Sequence, residues 1–335
     1  MTRDVALVGD LGGTKTLLAL VTPDESLVRA RYESASFDSL ESMIDVFLRG
    51  RDVRPSRAVF GVAGPVADGR AKLTNLRYAV DERELRAHLG LERVKLLNDL
   101  EATAFALPKL EPRAFHPIHA GRGRGRGDFC VVAVGTGLGE ALGVDLGSGY
   151  TVVAGEGGHV DFAPHDARSA DLLAYLWDTL GGHVSKEAVL SGRGIARLYE
   201  FVIDRGLARP AHALDFEDDL NVAVTNAGLA GSCPAARLAL ELFAAQLGAH
   251  AGDVALRALP RGGVFLAGGI PPRLTPVLDT PLFRDAFVKK GRFSEALASI
   301  RVEIVLDPAA PLTGATHVAF ARWEGEGRTA LPWGA

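Results

Sequence analysis

The sequence predicts an α/β protein built from two related domains that face one cleft. Short apolar runs typical of buried strands alternate with helical patterns along the chain, and this alternation is characteristic of the α/β class. An apolar run, a Gly- and Thr-rich segment and a second apolar run occur together in residues 5–21 and again in residues 129–144. The chain has 335 residues, a length that suits two domains better than one or three.

Each predicted strand rests on a short apolar run. Two such runs, Val5–Val8 and Leu17–Val21, flank a Gly-Gly turn and predict a first hairpin. Phe129–Val134 and Ala141–Val144 predict a second hairpin of the same design. Nearly continuous apolar residues predict further buried strands, which are Arg57–Val62, Val94–Leu97 and Gly263–Ala267.

Helices are predicted mainly in the second half of the chain. The segments with helical periodicity are Ala170–Leu180, Ile195–Arg205, Pro234–Leu259 and Thr313–Trp323. The third of these is apolar nearly all round, which predicts a central buried helix.

Composition and charge exclude several classes of protein. An apolar share of 47% excludes disorder as the dominant state. The 37 basic and 41 acidic residues give a net charge of −4, which is no footprint for nucleic acid or an anionic membrane. Two cysteines, Cys130 and Cys233, are too few for a disulfide scaffold or a zinc site of Cys pairs, and we expect both to be reduced and buried. Without a signal-peptide pattern or a membrane-spanning apolar run, a cytoplasmic location is expected.

Glycine is the enriched residue type, with 39 in the chain. Three Gly-rich segments each follow an apolar strand, namely Gly9–Thr14, Gly135–Gly139 and Gly268-Gly269. Glycine lets a ligand approach backbone N–H groups, and consecutive N–H groups bind phosphate. Each segment taken alone is more often only a tight turn. Beside the first segment, the Asp10 carboxylate is a candidate for Mg²⁺ or its waters, and Thr14 offers a hydroxyl to a phosphate oxygen.

Asn98 and Asp99 directly follow the predicted strand Val94–Leu97. Both residue types favour the N-cap of a helix, here one predicted over Leu100–Leu107. The carboxyl end of a buried strand is also where α/β sheets place catalytic groups, and an aspartate there can take the proton of an attacking hydroxyl. These residues alone leave both roles open.

Glu156 and His159 lie in a Gly-rich polar segment, Gly155–Asp161. A Glu-x-x-His pair can bind a metal when it lies on a helix, but the two intervening glycines disfavour a helix. On a loop, the same side chains accept and donate hydrogen bonds in a way that suits a polyhydroxylated ligand. Glu187 is either a further arm of this kind or a glutamate on a helix surface.

Residues 121–127 alternate glycine and arginine. Such a run either contacts nucleic acid or forms a flexible basic surface loop. With no interleaved aromatic residues and an acidic chain around it, the surface loop is favoured.

Together these segments resemble the bacterial glucokinase family, within the actin-like, hexokinase and Hsp70 ATPase superfamily. The resemblance follows the family's order over nearly the whole chain, in Val8–Thr14, Leu96–Leu100, Gly135–Gly139, Gly155–Pro164, Val189–Gly192 and Gly263–Ile270. The run Glu-Gly-Gly-His-Val-Asp-Phe-Ala-Pro within the fourth segment is highly specific.

For the fold, the resemblance implies two ribonuclease H-like (actin-like ATPase) domains flanking a cleft that binds ATP and glucose. A small α/β domain would comprise residues 1–109 and about 308–335, and a large α/β domain about 110–307. The resemblance also implies a homodimer.

For the site, the resemblance implies that Asp99 is the general base on the 6-hydroxyl of the sugar. The implied sugar contacts are Asn98, Asp99, Glu156, His159 and Glu187. The implied nucleotide-binding residues are Gly9, Asp10, Leu11, Gly12, Gly13, Thr14, Gly135, Thr136, Gly137, Gly268 and Gly269. Asp10 would hold Mg²⁺, partly through water. Lys15 stands where the family commonly has Asn, and either adds a positive charge near the phosphates or faces solvent.

The implied activity is ATP-dependent phosphorylation of glucose at its 6-hydroxyl. One alternative is a kinase of the ROK group acting on another hexose or an N-acetylhexosamine, which two distant cysteines disfavour because that group usually has a Cys-rich zinc motif. A sugar-sensing regulator that binds DNA is disfavoured by the negative net charge and by the lack of a helix-turn-helix before the first strand. An ATPase that has lost sugar binding is disfavoured by the set Glu156, His159 and Glu187.

Overall fold

A computed structural model describes residues 4–73, 76–122, 125–210, 219–321 and 330–332. By the density of its contacts the chain divides into two compact units. The first unit contains residues 1–111, 143–154 and 307–335, and the second contains residues 112–142 and 155–306. The domain boundaries that we expect near residues 109 and 307 are not tested by this division, and they remain a prediction.

The strands and helices of both units mix throughout the chain, which confirms the predicted α/β class. In the described residues the strands are β1 (Ala6–Leu11), β2 (Lys15–Val21), β3 (Ser26–Glu33), β4 (Arg57–Val62), β5 (Val66–Ala67), β6 (Arg70–Lys72), β7 (Ala79–Asp81), β8 (Val94–Asn98), β9 (Phe115–His119), β10 (Phe129–Val134), β11 (Leu138–Asp145), β12 (Gly149–Gly155), β13 (Gly263–Ala267), β14 (Val302–Val305) and β15 (Ala330–Pro332).

The helices of the same residues are α1 (Leu40–Leu48), α2 (Glu82–Leu89), α3 (Asp99–Ala106), α4 (Ala167–Leu180), α5 (Gly192–Asp204), α6 (Leu220–Ala230), α7 (Pro234–Ala258), α8 (Ile270–Arg273), α9 (Thr275–Leu278), α10 (Pro281–Val288), α11 (Ser294–Ala298) and α12 (Ala310–Ala319). Single turns of 3₁₀-helix occur at Ser34–Ser36, Leu107–Lys109, Pro112–Ala114, Gly157–His159 and Gly291–Phe293. None of the helices described here is long and apolar enough to cross a bilayer.

The first unit is organised around a five-stranded sheet in the order β3-β2-β1-β4-β8. β1 pairs with β2, and β2 with β3, in antiparallel fashion, whereas β1, β4 and β8 run parallel. The strands β1 and β4 are almost wholly buried, as expected for parallel strands covered on both faces. The C-terminal helix α12 packs against β1, β4 and α3.

Two smaller sets of strands complete the first unit. β5, β6 and β7 form a three-stranded antiparallel sheet. β12 pairs with β15 in antiparallel fashion.

The second unit contains the strand order β11-β10-β13-β14-β9. β10, β13 and β14 are parallel, and β9 runs antiparallel to β14 at the edge. Helix α7 is buried along most of its length, as predicted, and packs against α5, α6 and α10. Cys130 and Cys233 form no disulfide among the described residues and are buried in this unit, as predicted.

Glycines in α7 allow helix α10 to approach closely. A methyl group added at Gly248 would overlap the carbonyl group of Phe283, and one at Gly252 would lie 2.5 Å from the carbonyl oxygen of Phe287. The absence of a Cβ therefore sets the distance between the two helices.

The last helix begins earlier than predicted. Periodicity indicated a helix over Thr313–Trp323, but α12 begins at Ala310 with Pro311 in its first turn. Proline suits that position because its missing N–H has no partner within the helix there. Trp323 lies outside the described residues.

The Gly-Arg run is described only at its two ends, since Gly123 and Arg124 lie outside the described residues. The N–H group of Arg122 donates to the carbonyl oxygen of Ser299 at 2.9 Å. Gly127 lies directly against the side chain of Arg261. The described ends are therefore packed against other residues of the second unit, and the preference for a surface loop stays an interpretation.

Candidate active site

The carboxyl ends of three parallel strands bring Asp10, Asn98 and Asp99 to one edge of the first unit's sheet. The register aligns Asp10 of β1 with Gly61 of β4, and Gly61 with Leu97 of β8. A Cβ at Gly61 would lie 3.2 Å from the Cβ of Ala102 in α3, which is a tight contact, and 3.9 Å from the α-carbon of Asp99. The missing side chain at Gly61 thus lets the start of α3 lie directly against the sheet.

Asn98 is the N-cap of α3. Its Oδ1 accepts hydrogen bonds from the N–H groups of Leu100 at 2.9 Å and Glu101 at 3.4 Å, and its Nδ2 donates to the carbonyl oxygen of Gly64 at 2.9 Å. Asp99 is the first residue of the helix. The N-cap interpretation therefore applies to Asn98, one residue before Asp99.

The Asp99 carboxylate lies at the positive end of α3 in a largely desolvated position. Its Oδ1 accepts the N–H of Leu100 at 2.8 Å. Burial raises the pKa of Asp99, and this backbone hydrogen bond only partly opposes the rise. A carboxylate with a raised pKa is a better proton acceptor, so the position suits a general base.

Asp10 is the second perturbed carboxylate at this edge. Burial, followed by the negative charge of Asp99, raises the pKa of Asp10 to about 6, while Arg31 opposes the shift. Arg31 and Asp10 lie in one row across the sheet, each paired with Leu17. Two carboxylates that repel each other in a partly dry position fit a divalent cation, because its charge offsets both.

The turn of the first hairpin is shorter than predicted. Gly9, Asp10 and Leu11 belong to β1, and only residues 12–14 form the turn, with the N–H of Gly12 donating to the carbonyl oxygen of Lys15 at 3.0 Å. Gly9 is needed for packing, because a Cβ there would lie 2.7 Å from Cδ1 of Phe60. The expectation that all of Gly9–Thr14 forms the tip is therefore wrong for its first half.

Ser34 supports this turn, a role that was not predicted from the sequence. Its hydroxyl donates to the carbonyl oxygen of Gly12 at 2.8 Å, and its N–H donates to the carbonyl oxygen of Thr14 at 2.8 Å. The hydroxyl also lies 2.9 Å from Oγ1 of Thr16, and Ser34 is fully buried. No local pattern links residues this far apart, so only the fold reveals the support.

Lys15 follows the turn and faces Glu33 on the neighbouring strand. Its Nζ lies 3.9 Å from Oε1 of Glu33, and both side chains are more than half exposed. An exposed pair of this kind contributes little to stability.

Two Gly-rich segments of the second unit start from adjacent strand ends. Ala133 of β10 pairs with Ala267 of β13, so Gly135–Gly137 and Gly268-Gly269 follow the same edge of the sheet. The N–H of Gly135 donates to the carbonyl oxygen of Gly137 at 2.9 Å, which closes the first segment, and Thr136 at its tip is exposed. Gly268 has φ +88° and lies against the carbonyl group of Val134, so both its backbone angle and its surroundings require glycine.

Glu156 and His159 lie in a stretch that we call the polar loop, residues 156–161. A single 3₁₀ turn, Gly157–His159, forms inside it, where an irregular loop was expected. Both side chains are well exposed, and His159 Nε2 lies 4.0 Å from Glu156 Oε2. The carboxylate and the imidazole are therefore available to hydroxyl groups of a ligand.

Glu187 joins the polar loop to the Gly135–Gly137 segment. Its Oε2 accepts the N–H of Leu138 at 2.9 Å, and its own N–H donates to the carbonyl oxygen of Gly158 at 2.9 Å. The residue lies in a turn, so the interpretation as a glutamate on a helix surface is wrong. A contact of Glu187 with sugar stays a prediction.

A family model, curated relatives and solved structures were each compared with this chain, and all three match nearly its whole length. The family model for glucokinase matches residues 7–322. The glucokinase of Nostoc punctiforme is 34% identical, with 93% of this chain and 98% of that protein covered. A crystal structure of glucokinase from an Antarctic psychrotroph matches with a TM-score of 0.82 at 32% identity and covers 93% of this chain and 97% of that one. The glucokinase of Balamuthia mandrillaris, crystallised in complex with glucose, matches with a TM-score of 0.78 at 25% identity, covering 94% and 93%.

The matched region covers most of the first unit, all of the second and every residue assigned to the candidate site. The predicted resemblance is confirmed, and so is the fold class, because the structural matches extend over nearly the whole of both chains. This chain belongs to the glucokinase family.

Proposed function

We propose that this chain catalyses the ATP-dependent phosphorylation of glucose at the 6-hydroxyl, giving glucose 6-phosphate. The observation that carries the proposal is the glucokinase family match over residues 7–322, supported by glucokinase relatives such as that of Nostoc punctiforme. The carboxylates at the edge of the first unit's sheet supply the acid–base chemistry that such a reaction needs.

Asp99 is the proposed general base. The 6-hydroxyl oxygen attacks the γ-phosphorus, the bond from that phosphorus to the bridging oxygen of ADP breaks, and the hydroxyl proton passes to the carboxylate of Asp99. The desolvated position of this carboxylate at the start of α3 supports the assignment, because burial raises its pKa. The hydrogen bond from Leu100 fixes one oxygen and so orients the carboxylate.

Backbone N–H groups in Gly-rich segments are the proposed phosphate ligands. Residues 12–14, supported by Ser34, and residues 135–137, closed by their own hydrogen bond, would hold the phosphates of ATP. Gly268 and Gly269 would lie near the nucleoside. Asp10 would hold Mg²⁺, partly through water, and the bound ion would offset the charge of the phosphates. The raised pKa of Asp10 supports this role, because its carboxylate lacks full charge compensation.

The proposed sugar contacts are Asn98, Asp99, Glu156, His159 and Glu187. Glu156 and His159 are exposed and close to each other, whereas Glu187 already uses one carboxylate oxygen on Leu138. A sugar that lacks one hydroxyl would leave a polar group unpaired on binding, so contacts of this kind select strongly among hexoses.

Three finer expectations belong to the same proposal. ATP is the expected phosphoryl donor. A homodimer is the expected assembly, and the cytoplasm is the expected location. The first is tested with a panel of donors, the second by light scattering of the purified protein, and the third by cell fractionation.

The activity is tested with purified protein, ATP, Mg²⁺ and a panel of sugars. Glucose 6-phosphate formation is followed through a dehydrogenase that reduces NADP⁺. We expect glucose to have the highest kcat/KM in a panel with mannose, N-acetylglucosamine and N-acetylmannosamine. Preference for an N-acetylhexosamine would favour the ROK-type alternative, and inactivity toward every sugar would refute the proposal.

A further inference from the structure

A buried carboxylate lies directly beneath the polar loop and has no role in the site described so far. Glu140 of β11 has only 11% of its side chain exposed. Nη1 of Arg257 donates to its Oε2 at 3.1 Å. Nε2 of the fully buried His250 lies 3.1 Å from its Oε1, without the geometry of a hydrogen bond.

The surroundings keep Glu140 ionised in spite of its burial. Burial would raise the pKa of Glu140, but His250, Arg257 and Lys186 together lower it. Lys186 is itself buried and pairs with Asp253 at 3.2 Å. A buried carboxylate costs free energy even when paired, so its presence beneath a loop calls for a local explanation.

The polar loop rests on this carboxylate through Gly157. A Cβ at Gly157 would overlap all three atoms of the Glu140 carboxyl group. The neighbouring Gly158 rests in the same way on the carbonyl group of Leu138. A Cβ at Gly155, just before the loop, would meet open space. Glycine is therefore required at positions 157 and 158, because Glu140 and Leu138 leave no room there for a Cβ.

We propose that Glu140 is a positioning residue for the glucose-binding polar loop. Its carboxylate, held by the hydrogen bond from Arg257, is the support on which Gly157 lies. The support fixes the positions of Glu156 and His159, on either side of the Gly-Gly pair, so that their side chains can contact sugar hydroxyls. This inference rests on the proposed function, because it assumes that the loop binds glucose.

Substitutions of Glu140 distinguish a role in positioning the polar loop from a role in the stability of the fold alone. In Glu140→Ala the loop loses its support, so we expect the KM for glucose to rise about tenfold or more while the KM for ATP changes less than about twofold. Glu140→Gln keeps the shape of the side chain and should recover most of the glucose affinity. A merely structural role would change both KM values together or lower only the amount of folded protein. Either result, or an unchanged KM for glucose, would overturn the proposal.

Gly157 provides a second test with a matched control. Gly157→Ala should raise the KM for glucose, because its methyl group collides with the Glu140 carboxylate. Gly155→Ala should leave the KM near the wild-type value, because its methyl group meets open space. In the double variant Gly157→Ala with Glu140→Ala, the collision is gone, so its KM should not exceed that of Glu140→Ala. Additive increases in the double variant would contradict a direct contact.

Amide hydrogen exchange tests the support without any substrate. In Glu140→Ala the amides of residues 156–161 should exchange faster than in the wild type, while those of α10 keep their protection. Unchanged exchange in the loop would refute the support whatever the activity. If the wild type fails to phosphorylate glucose but the exchange result holds, the proposed function fails and the support of the loop by Glu140 stands.

Discussion

At the scale of single residues, two neighbouring carboxylates of the first unit have perturbed pKa values. Asp10 and Asp99 both have raised pKa values, chiefly because of burial, and the charge of Asp99 adds to the shift of Asp10. Desolvated carboxylates of this kind cluster at functional sites. Without a bound cation they destabilise the folded protein, so their presence indicates a function.

The pH dependence of stability tests this cost at Asp10. Its pKa of about 6 in the folded protein exceeds the ordinary value of 3.8. Between these values the folded state binds more protons than the unfolded state, so the free energy of unfolding falls as pH rises through this window. Above about pH 7 the raised pKa of Asp10 lowers the free energy of unfolding by at most about 3 kcal/mol.

Asp10→Asn should therefore stabilise the Mg²⁺-free protein by about 1–3 kcal/mol near pH 8, with the gain vanishing near pH 4. Urea denaturation at several pH values measures this difference. Asp24→Asn, which alters an exposed aspartate, is the control for the loss of one negative charge. A gain at Asp10 that stays constant with pH would contradict the assignment of its pKa.

Some residues of the candidate site could be predicted at this scale and others could not. Asn98 and Asp99 were predictable because they directly follow an apolar strand, where α/β proteins place functional groups. Ser34 and Glu140 were not, because each acts on a segment remote in sequence, at Gly12 and Gly157. Only the tertiary fold brings these partners together.

At the scale of elements, the position of α3 depends on how α12 packs against it. A Cβ at Gly314 in α12 would overlap the carbonyl group of Ala102 in α3. Because Asn98 and Asp99 lie at the start of α3, a displaced α3 would also displace the proposed base.

Gly314→Ala should therefore lower both stability and kcat, although alanine has the higher helix propensity. We expect a loss of about 1–3 kcal/mol in the free energy of unfolding, as for other overpacked sites. Urea denaturation and initial rates measure the two effects. Gly182→Ala is the matched control, since its Cβ would meet open space. A Gly314→Ala protein at least as stable as the wild type would contradict this packing.

Helix α7 shows what the sequence pattern could have revealed about elements. The helix was predicted as buried because it is apolar nearly all round, and it is buried. Its polar residues Gln246, His250, Asp253 and Arg257 are spaced by three or four positions, which places them in one stripe along the helix. A polar stripe on a buried helix indicates a buried polar network. Asp253 and Arg257 do form ion pairs within the second unit, and His250 Nε2 lies 3.1 Å from Glu140 Oε1.

At the scale of the whole molecule, the α/β class and the recurrence of the strand, glycine turn and strand pattern were predictable from alternation and glycine spacing. The grouping of the C-terminal helix with the N-terminal third of the chain was implied by family resemblance alone and stays a prediction, although α12 packs against β1, β4 and α3. The inclusion of residues 143–154 in the first unit was not predicted. This segment carries Tyr150, whose hydroxyl donates to the carbonyl oxygen of Phe105 at 2.6 Å, a long-range contact with no local signature.

The central claim is that Asp99 takes the proton of the sugar hydroxyl, and Asp99→Asn tests it most directly. Asparagine keeps an oxygen that can accept the N–H of Leu100, so the start of α3 should be preserved, while the side chain can no longer take up a proton. Steady-state rates of glucose 6-phosphate formation should show kcat reduced about 10²–10⁴-fold, with the KM for glucose within about threefold of the wild-type value and urea denaturation showing an intact fold. Asp99→Ala should lose at least as much activity. A folded Asp99→Asn protein whose kcat stays within about tenfold of the wild-type value would contradict the assignment of Asp99 as the base.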